Sequence, residues 1–356
     1  MTSNTRPTVS SDTELTLKWL QRSIAVNEGR GSAGYFHLWK GWSAPYPETT
    51  GYIVETLWDY YQFTGNESLK EDAVSCTEWL CDIQRYDGAW NGGVGGSLSP
   101  IVFDTGMILF GLTRSFVETG ERRYADAAKR ALAWLLSLLE PDGSWRQAAY
   151  VPGFIPSYYT RVVWAALYAA ERLNMPEVTS EMEKALQFYA AQVSPLPKIS
   201  DWGFRPGEPA FTHTIVYTWR GFLEAALKLD NAEIVEKTVL FGRKMLDIRA
   251  RKGWLAGAFD ENWKGDWSFT CVTGNAQLSV LLCRLYAVTG DEQFRQGAAI
   301  LYRDAEDAVW KAGPSGIRGG VPGSIPVWGN YQPFRFPNWA AKFVLDAALS
   351  TRKALT

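Results

Sequence analysis

Histidine is nearly missing from this chain: only His37 and His213 occur in 356 residues, so proton transfer near neutral pH falls to one of two imidazoles or to carboxyls tuned by their surroundings. Cysteine is also scarce. Cys76, Cys81, Cys271 and Cys283 lie inside apolar helical patterns, and Cys76 and Cys81 are five apart rather than in a CxxC pair. They read as free, buried thiols, not as a redox or metal site. No Lys/Arg run concentrates charge, and 36 basic against 38 acidic residues leave a net charge of -2, which argues against a nucleic-acid surface. No apolar run approaches the length of a membrane span, and the polar residues 1–11 lack the apolar core of a signal peptide. A cytoplasmic protein is the expectation. No pattern calls for a metal or cofactor, and none is expected; no feature sets an oligomeric state.

Aromatic residues are abundant instead. Trp 17, Tyr 16 and Phe 17 make up 14% of the chain, and many fall in loops. Around them runs a repeat. Six similar helix entrances contain Glu48, Asp104, Thr160, His213, Asn275 and Asn338, with successive spacings of 56, 56, 53, 62 and 63 residues. Each entrance follows a loop rich in Gly, Trp and Pro and opens an apolar helix, as over residues 47–64, 100–119, 157–173, 212–229, 270–289 and 336–349. Amphipathic helices alternate with these over residues 67–85, 122–139, 177–193, 233–248 and 292–310. An N-terminal amphipathic helix over 13–26, behind Ser11 or Asp12 as N-cap, partners the last apolar one.

Connection lengths decide the topology. Links from apolar to amphipathic helices are tight, as at Thr64-Gly65-Asn66 and Thr119-Gly120-Glu121, whereas the return links (84–99, 140–156, 194–211, 252–269, 311–335) are long. Apolar helices must form an inner ring and amphipathic ones an outer ring, with every long loop on one face. The expected fold is an all-α (α/α)6 toroid of six helical hairpins, forming one domain over residues 12–356 behind a disordered tail over 1–11.

Two phrases, Gln84-Arg85-Tyr86-Asp87-Gly88-Ala89-Trp90 and Glu140-Pro141-Asp142-Gly143-Ser144-Trp145, resemble the QxxDGxW repeat of the terpenoid-cyclase and protein-prenyltransferase toroids. The likeness supports the fold and leaves out the chemistry, because neither a DxDD acid nor a DDxxD cluster is present. A second resemblance spans residues 41–349. Gly41-Trp42, Tyr46-Pro47-Glu48-Thr49-Thr50-Gly51-Tyr52, Phe103-Asp104-Thr105-Gly106, His213-Thr214-Ile215 with Tyr217, and Pro337-Asn338-Trp339-Ala340-Ala341-Lys342-Phe343 are similar to bacterial toroid proteins associated with exopolysaccharide and capsule gene clusters. That resemblance implies a glycan context.

In such a toroid the inner-helix N-termini converge on the mouth lined by long loops, where free N–H groups favour an anionic or oxygen-rich ligand. The expected catalytic residues are Glu48, Asp104, His213, Tyr159 and Asp260. The expected substrate contacts are Arg161, Tyr217, Asn275, Asn338 and Lys342, with Trp42, Trp90, Trp145 and Trp328 stacking on sugar faces. Arg161 should pair with an inner carboxylate such as Asp104 or with a substrate carboxylate. Glu48 and Asp104 have a plain alternative role as first-turn helix caps. The functional expectation is a carbohydrate-active enzyme acting on an acidic bacterial polysaccharide or oligosaccharide. Hydrolysis would use Glu48, Asp104 or Asp260; lyase or epimerase chemistry on a uronate would use His213 or Tyr159 as base, with Arg161, Asn275 or Asn338 neutralising the carboxylate. A prenyl-chain cyclase-like toroid and a non-catalytic glycan-binding protein are the alternatives.

Overall fold

The computed structural model describes residues 9–195 and 197–355. Of the tail expected over residues 1–11, residues 1–8 lie outside the described residues, while Ser10 caps the first helix and Ser11 begins it. Among the described residues there are twelve α-helices: α1 (Ser11–Ala25), α2 (Pro47–Thr64), α3 (Glu67–Asp82), α4 (Val102–Thr119), α5 (Arg122–Ser137), α6 (Thr160–Leu173), α7 (Glu177–Ala190), α8 (Thr212–Lys228), α9 (Ala232–Lys252), α10 (Val272–Thr289), α11 (Glu292–Glu306) and α12 (Asn338–Leu355). The N-cap of α1 is Ser10, whose hydroxyl accepts from the Thr13 N–H at 3.2 Å, one residue before Ser11 and two before Asp12, the expected caps.

The even-numbered helices pack in a closed ring, α2 against α4, then α6, α8, α10 and α12, which returns to α2; α3, α5, α7, α9, α11 and α1 lie outside them. Inner helices approach very closely where glycine replaces a side chain. A Cβ on Gly51 would sit 2.5 Å from the Ile108 Cα, and one on Gly111 would sit 2.2 Å from the Gly51 carbonyl oxygen. Short links end their helices with left-handed residues, as at Gly65 (φ 67), so the chain reverses at once. Long links are thereby confined to the opposite face.

The long loops also carry short strands that the sequence pattern did not indicate. They form three small antiparallel sheets. In the first, β1 (Tyr35–His37) lies between β2 (Gly41–Trp42) and β8 (Arg335–Pro337). This sheet joins the first long loop to the last and closes the ring on the loop face. In the second, β4 (Ala258–Phe259) lies between β3 (Ala210–Phe211) and β5 (Gly265–Asp266). The third pairs β6 (Thr270–Cys271) with β7 (Ser324–Ile325). Ladders of two or three residues are too short to show a period of two.

The four cysteines are free and buried. Among the described residues no helix is long and apolar enough to cross a membrane, and no group of His, Cys, Asp and Glu is arranged to hold a metal ion.

Candidate active site

A cleft of about 430 Å³ opens at the loop face over the inner-helix N-termini. Glu48 and Tyr52 from α2, Phe103 from α4, and His213 and Tyr217 from α8 line it, together with Tyr46, Tyr150, Tyr158, Phe204 and Tyr331 from the loops. Pro47 occupies the first turn of α2, where its missing N–H costs nothing, and this fixes the next residue, Glu48, at the cleft floor.

Asp104 is fully buried at the start of α4 and is held from outside its own helix. The Tyr150 hydroxyl donates to Oδ1 at 2.6 Å and lies 2.8 Å from Oδ2, while the Gly93 N–H donates to Oδ2 at 2.9 Å. Tyr150 also bonds the Tyr46 hydroxyl at 2.7 Å. Glu48 is 5% exposed and electrostatically coupled to Asp104. Neither carboxylate serves as the N-cap of its helix: the caps are Tyr46 and Ile101, and no side chain bonds there.

Burial raises the pKa of both carboxyls. For Glu48 the charge of Asp104 is the next cause, opposed by the Tyr46 and Tyr52 hydroxyls and by Arg161. For Asp104 the donors Tyr150 and Gly93 pull the other way. Asp104 therefore ionises first, and its charge keeps the proton on Glu48. Two carboxyls with separated proton affinities can divide acid and base roles. The surrounding phenols Tyr46, Tyr52, Tyr158 and Tyr331 are pushed well above their usual range by burial, so they remain protonated donors.

His213 lines the cleft with its Nδ1 3.2 Å from the Gln277 amide oxygen. Burial, aided by the Arg161 charge, pushes its pKa down to about 3 against the opposing bond to Gln277. It is therefore a neutral imidazole, and the expectation of a residue titrating near neutral pH is corrected. With the Gln277 oxygen accepting from Nδ1–H, the remaining ring nitrogen accepts, which suits a sugar hydroxyl.

Several other expectations are corrected by position. Trp90 and Trp145 are fully buried and donate through Nε1 to the Leu80 and Leu135 carbonyls at 2.8 and 2.9 Å, so they anchor their loops on the preceding outer helices. Trp42 packs on Trp19 at 5.1 Å, and the exposed Trp328 lies outside the cleft lining. Tyr159 is fully buried, 6.4 Å from Phe103 and nearly parallel to it; its neighbour Tyr158 faces the cleft. Asp260 ties its own loop by accepting the Asn262 and Lys264 N–H groups at 2.8 and 2.9 Å.

Asn338 donates to Ser32 and Thr49, both at 2.9 Å, and knits α12 to the entrance of α2. Asn275 is buried outside the cleft lining. Lys342 is paired with Asp346 and, with Arg161, borders a second cavity deeper in the barrel. Arg161 does not pair with Asp104; among the described residues no carboxylate lies within ion-pair distance of it.

Residues missed from the sequence complete the site. Tyr46, Tyr52, Tyr150, Tyr158, Phe204, Tyr331 and Trp339 supply its aromatic walls, and Arg205 and Arg335 its cations. Arg335 stacks on Tyr35 at 4.6 Å, donates to Gln332 at 3.0 Å, and has a buried Nε without a partner. The aromatic excess was visible in composition, but which rings face inward depends on loop geometry that no local pattern encodes.

No family model and no curated relative matches the chain. Solved structures do. The unsaturated glucuronyl hydrolase from a Bacillus species, described as responsible for glycosaminoglycan degradation, is 17% identical, with 95% of each chain covered and a TM-score of 0.75. Cellobiose 2-epimerase from Bacillus thermoamylovorans is 13% identical over 94% of this chain and 96% of that one, with a TM-score of 0.71. A D-mannose isomerase is 12% identical over 96% of each chain, with a TM-score of 0.76. At such identities the likeness is one of fold, and the fold of this chain is the (α/α)6 toroid.

Proposed function

We propose that the protein is a glycoside hydrolase acting on acidic oligosaccharides. The observation that carries this reading is the Glu48–Asp104 pair, with Glu48 lining an aromatic cleft and Asp104 buried behind Tyr150, itself a cleft residue. Glu48 keeps its proton and can donate it to the glycosidic oxygen as the bond breaks; Asp104, ionised and held by Tyr150 and Gly93, can activate water or attack the anomeric carbon. Tyrosine and phenylalanine faces offer apolar surface to pyranose C–H groups, while the phenol hydroxyls and neutral His213 can exchange hydrogen bonds with the sugar.

The acidic substrate class is supported by Arg205 and Arg335, the cations that line this cleft. The sequence phrases shared with exopolysaccharide-associated toroids support a bacterial surface polymer as its source. The glycosaminoglycan-degrading description of the glucuronyl hydrolase neighbour is consistent with the same class. Elimination or epimerisation is less well supported, because His213 is a weak base and Tyr159 is turned away from the cleft. A prenyl-chain reading fits poorly with a lining that holds Glu48 and several phenols.

The test is product analysis after incubation with uronate-containing oligosaccharides. New reducing ends without ultraviolet absorbance support hydrolysis. An unsaturated product would replace it with elimination, and binding without turnover would leave a glycan-binding protein.

A further inference from the structure

Beneath the cleft, on the far side of Tyr217, lies a cavity of about 200 Å³. Its lining includes Arg161, Trp164, Tyr217, Gln277 and Phe343. Arg161 is 4% exposed and borders it without a counter-charge. Its polar contact within the protein is the Met107 sulfur, 3.2 Å from Nε. Five rings surround the guanidinium, from Tyr217 at 4.6 Å to Tyr52 at 6.0 Å. Rings attract the cation but neutralise none of its charge.

Nearby cations are treated differently. Arg220 bonds Glu224 at 2.7 Å, Arg114 bonds Asp59 at 2.8 Å and Glu118 at 2.7 Å, and Lys342 is paired with Asp346. A further polar atom in the cavity wall, Gln277 Nε2, is buried without a hydrogen-bond partner. Buried polar groups are normally satisfied, so unmatched donors converging on one cavity call for an acceptor.

We propose that this inner cavity is a binding site for a small monovalent anion of halide or formate size, held by Arg161 and Gln277. The other charged groups on its walls are Glu55 and Asp59 from α2, Arg220 from α8, and Lys342, Asp346 and Lys353 from α12. Asp59, Arg220, Lys342 and Asp346 already have partners, and burial raises the Glu55 pKa, which reduces its negative charge near neutral pH. Tyr217 is the wall it shares with the sugar cleft, and Gln277 also bonds the cleft residue His213, but anion binding does not depend on hydrolysis. An anion here offsets the Arg161 charge that reaches Glu48 and His213, so occupancy bears on the proton balance of the cleft.

Crystals of the full chain soaked in sodium bromide should show an anomalous peak in this cavity, within hydrogen-bond distance of Arg161 and Gln277. In solution, chloride should raise the melting temperature saturably, by about 1–2 °C over gluconate, a bulkier and more weakly binding anion, at matched ionic strength. Gln277→Leu, which keeps Arg161 and its rings, should abolish the difference. Saturation by formate with no response to chloride would also support the site and identify a carboxylate occupant. A bromide peak without any saturable melting effect of either anion would be an adventitious ion only and would overturn the proposal. So would equal melting in all salts with an empty cavity, since the aromatic cage alone would then suffice for Arg161.

Discussion

The Tyr150 hydroxyl lies 2.6 Å from Asp104 Oδ1 and so reaches a fully buried carboxylate from a loop 46 residues further along the chain. That bond favours the charged form of Asp104 and leaves the proton of the pair to Glu48. Tyr150→Phe should raise the Asp104 pKa and narrow the pH range in which the pair holds one proton. A pH–rate profile should show the acid limb moving to higher pH. The ring is 36% exposed, but the bond lost is to a buried carboxylate, so the stability cost should be about 1.5–3 kcal/mol by denaturant melting.

The pair also predicts how stability follows pH. Glu48 rises from 4.5 to about 8 in the folded protein, so the native state binds the proton more tightly than the unfolded chain. Stability from this group is fully present below the unfolded pKa and is lost as pH rises toward 8. Glu48→Gln cannot lose that proton. The variant should gain roughly 1–3 kcal/mol over wild type at pH 8 and little at pH 4, even though its activity falls. Parallel melting curves for the two proteins from pH 4 to 8 would contradict this.

Trp90 and Trp145 should behave as structural residues. Trp90→Phe leaves the Leu80 carbonyl without its donor and removes buried surface, at a cost of about 1–3 kcal/mol. Turnover per folded molecule should be unchanged, and so should KM for the glycan. A selective rise in KM would return this side chain to the binding surface.

Much of this architecture was legible in the chain itself. The spacing from Glu48 to Asn338, together with alternating short and long links, specifies inner and outer rings, and the ends of α2 and α4 fall at Thr64 and Thr119 as the Thr-Gly signals indicate. Glu48, His213 and Tyr217 line the cleft where the sequence placed them, near the helix entrances. The rest depended on long-range contacts. Nothing local distinguishes Trp90, which anchors a loop, from Trp339, which lines the cleft, or Tyr158 from Tyr159. Arg161 follows the entrance residue yet faces the deeper cavity, since one step along a helix turns the side chain by about 100°.

The rim cations should select for charge. Arg335→Gln should raise KM for an acidic oligosaccharide several-fold and leave binding of its carboxyl-reduced counterpart unchanged. Arg205 is more exposed, so its contribution should shrink as salt rises, with a screening length of about 8 Å at physiological ionic strength. Calorimetry with the matched glycans checks both. Equal affinity for the acidic and reduced forms would remove the case for a uronate substrate.

The most direct measurement is the release of reducing ends from a uronate-containing oligosaccharide by wild type, Glu48→Gln, Asp104→Asn and, as a control on the short-link face, Glu121→Gln. The account predicts that both carboxyl variants lose turnover by about 100-fold or more while remaining folded, and that Glu121→Gln matches wild type. Full turnover by a folded Glu48→Gln or Asp104→Asn protein would contradict the assignment of this pair as the catalytic centre.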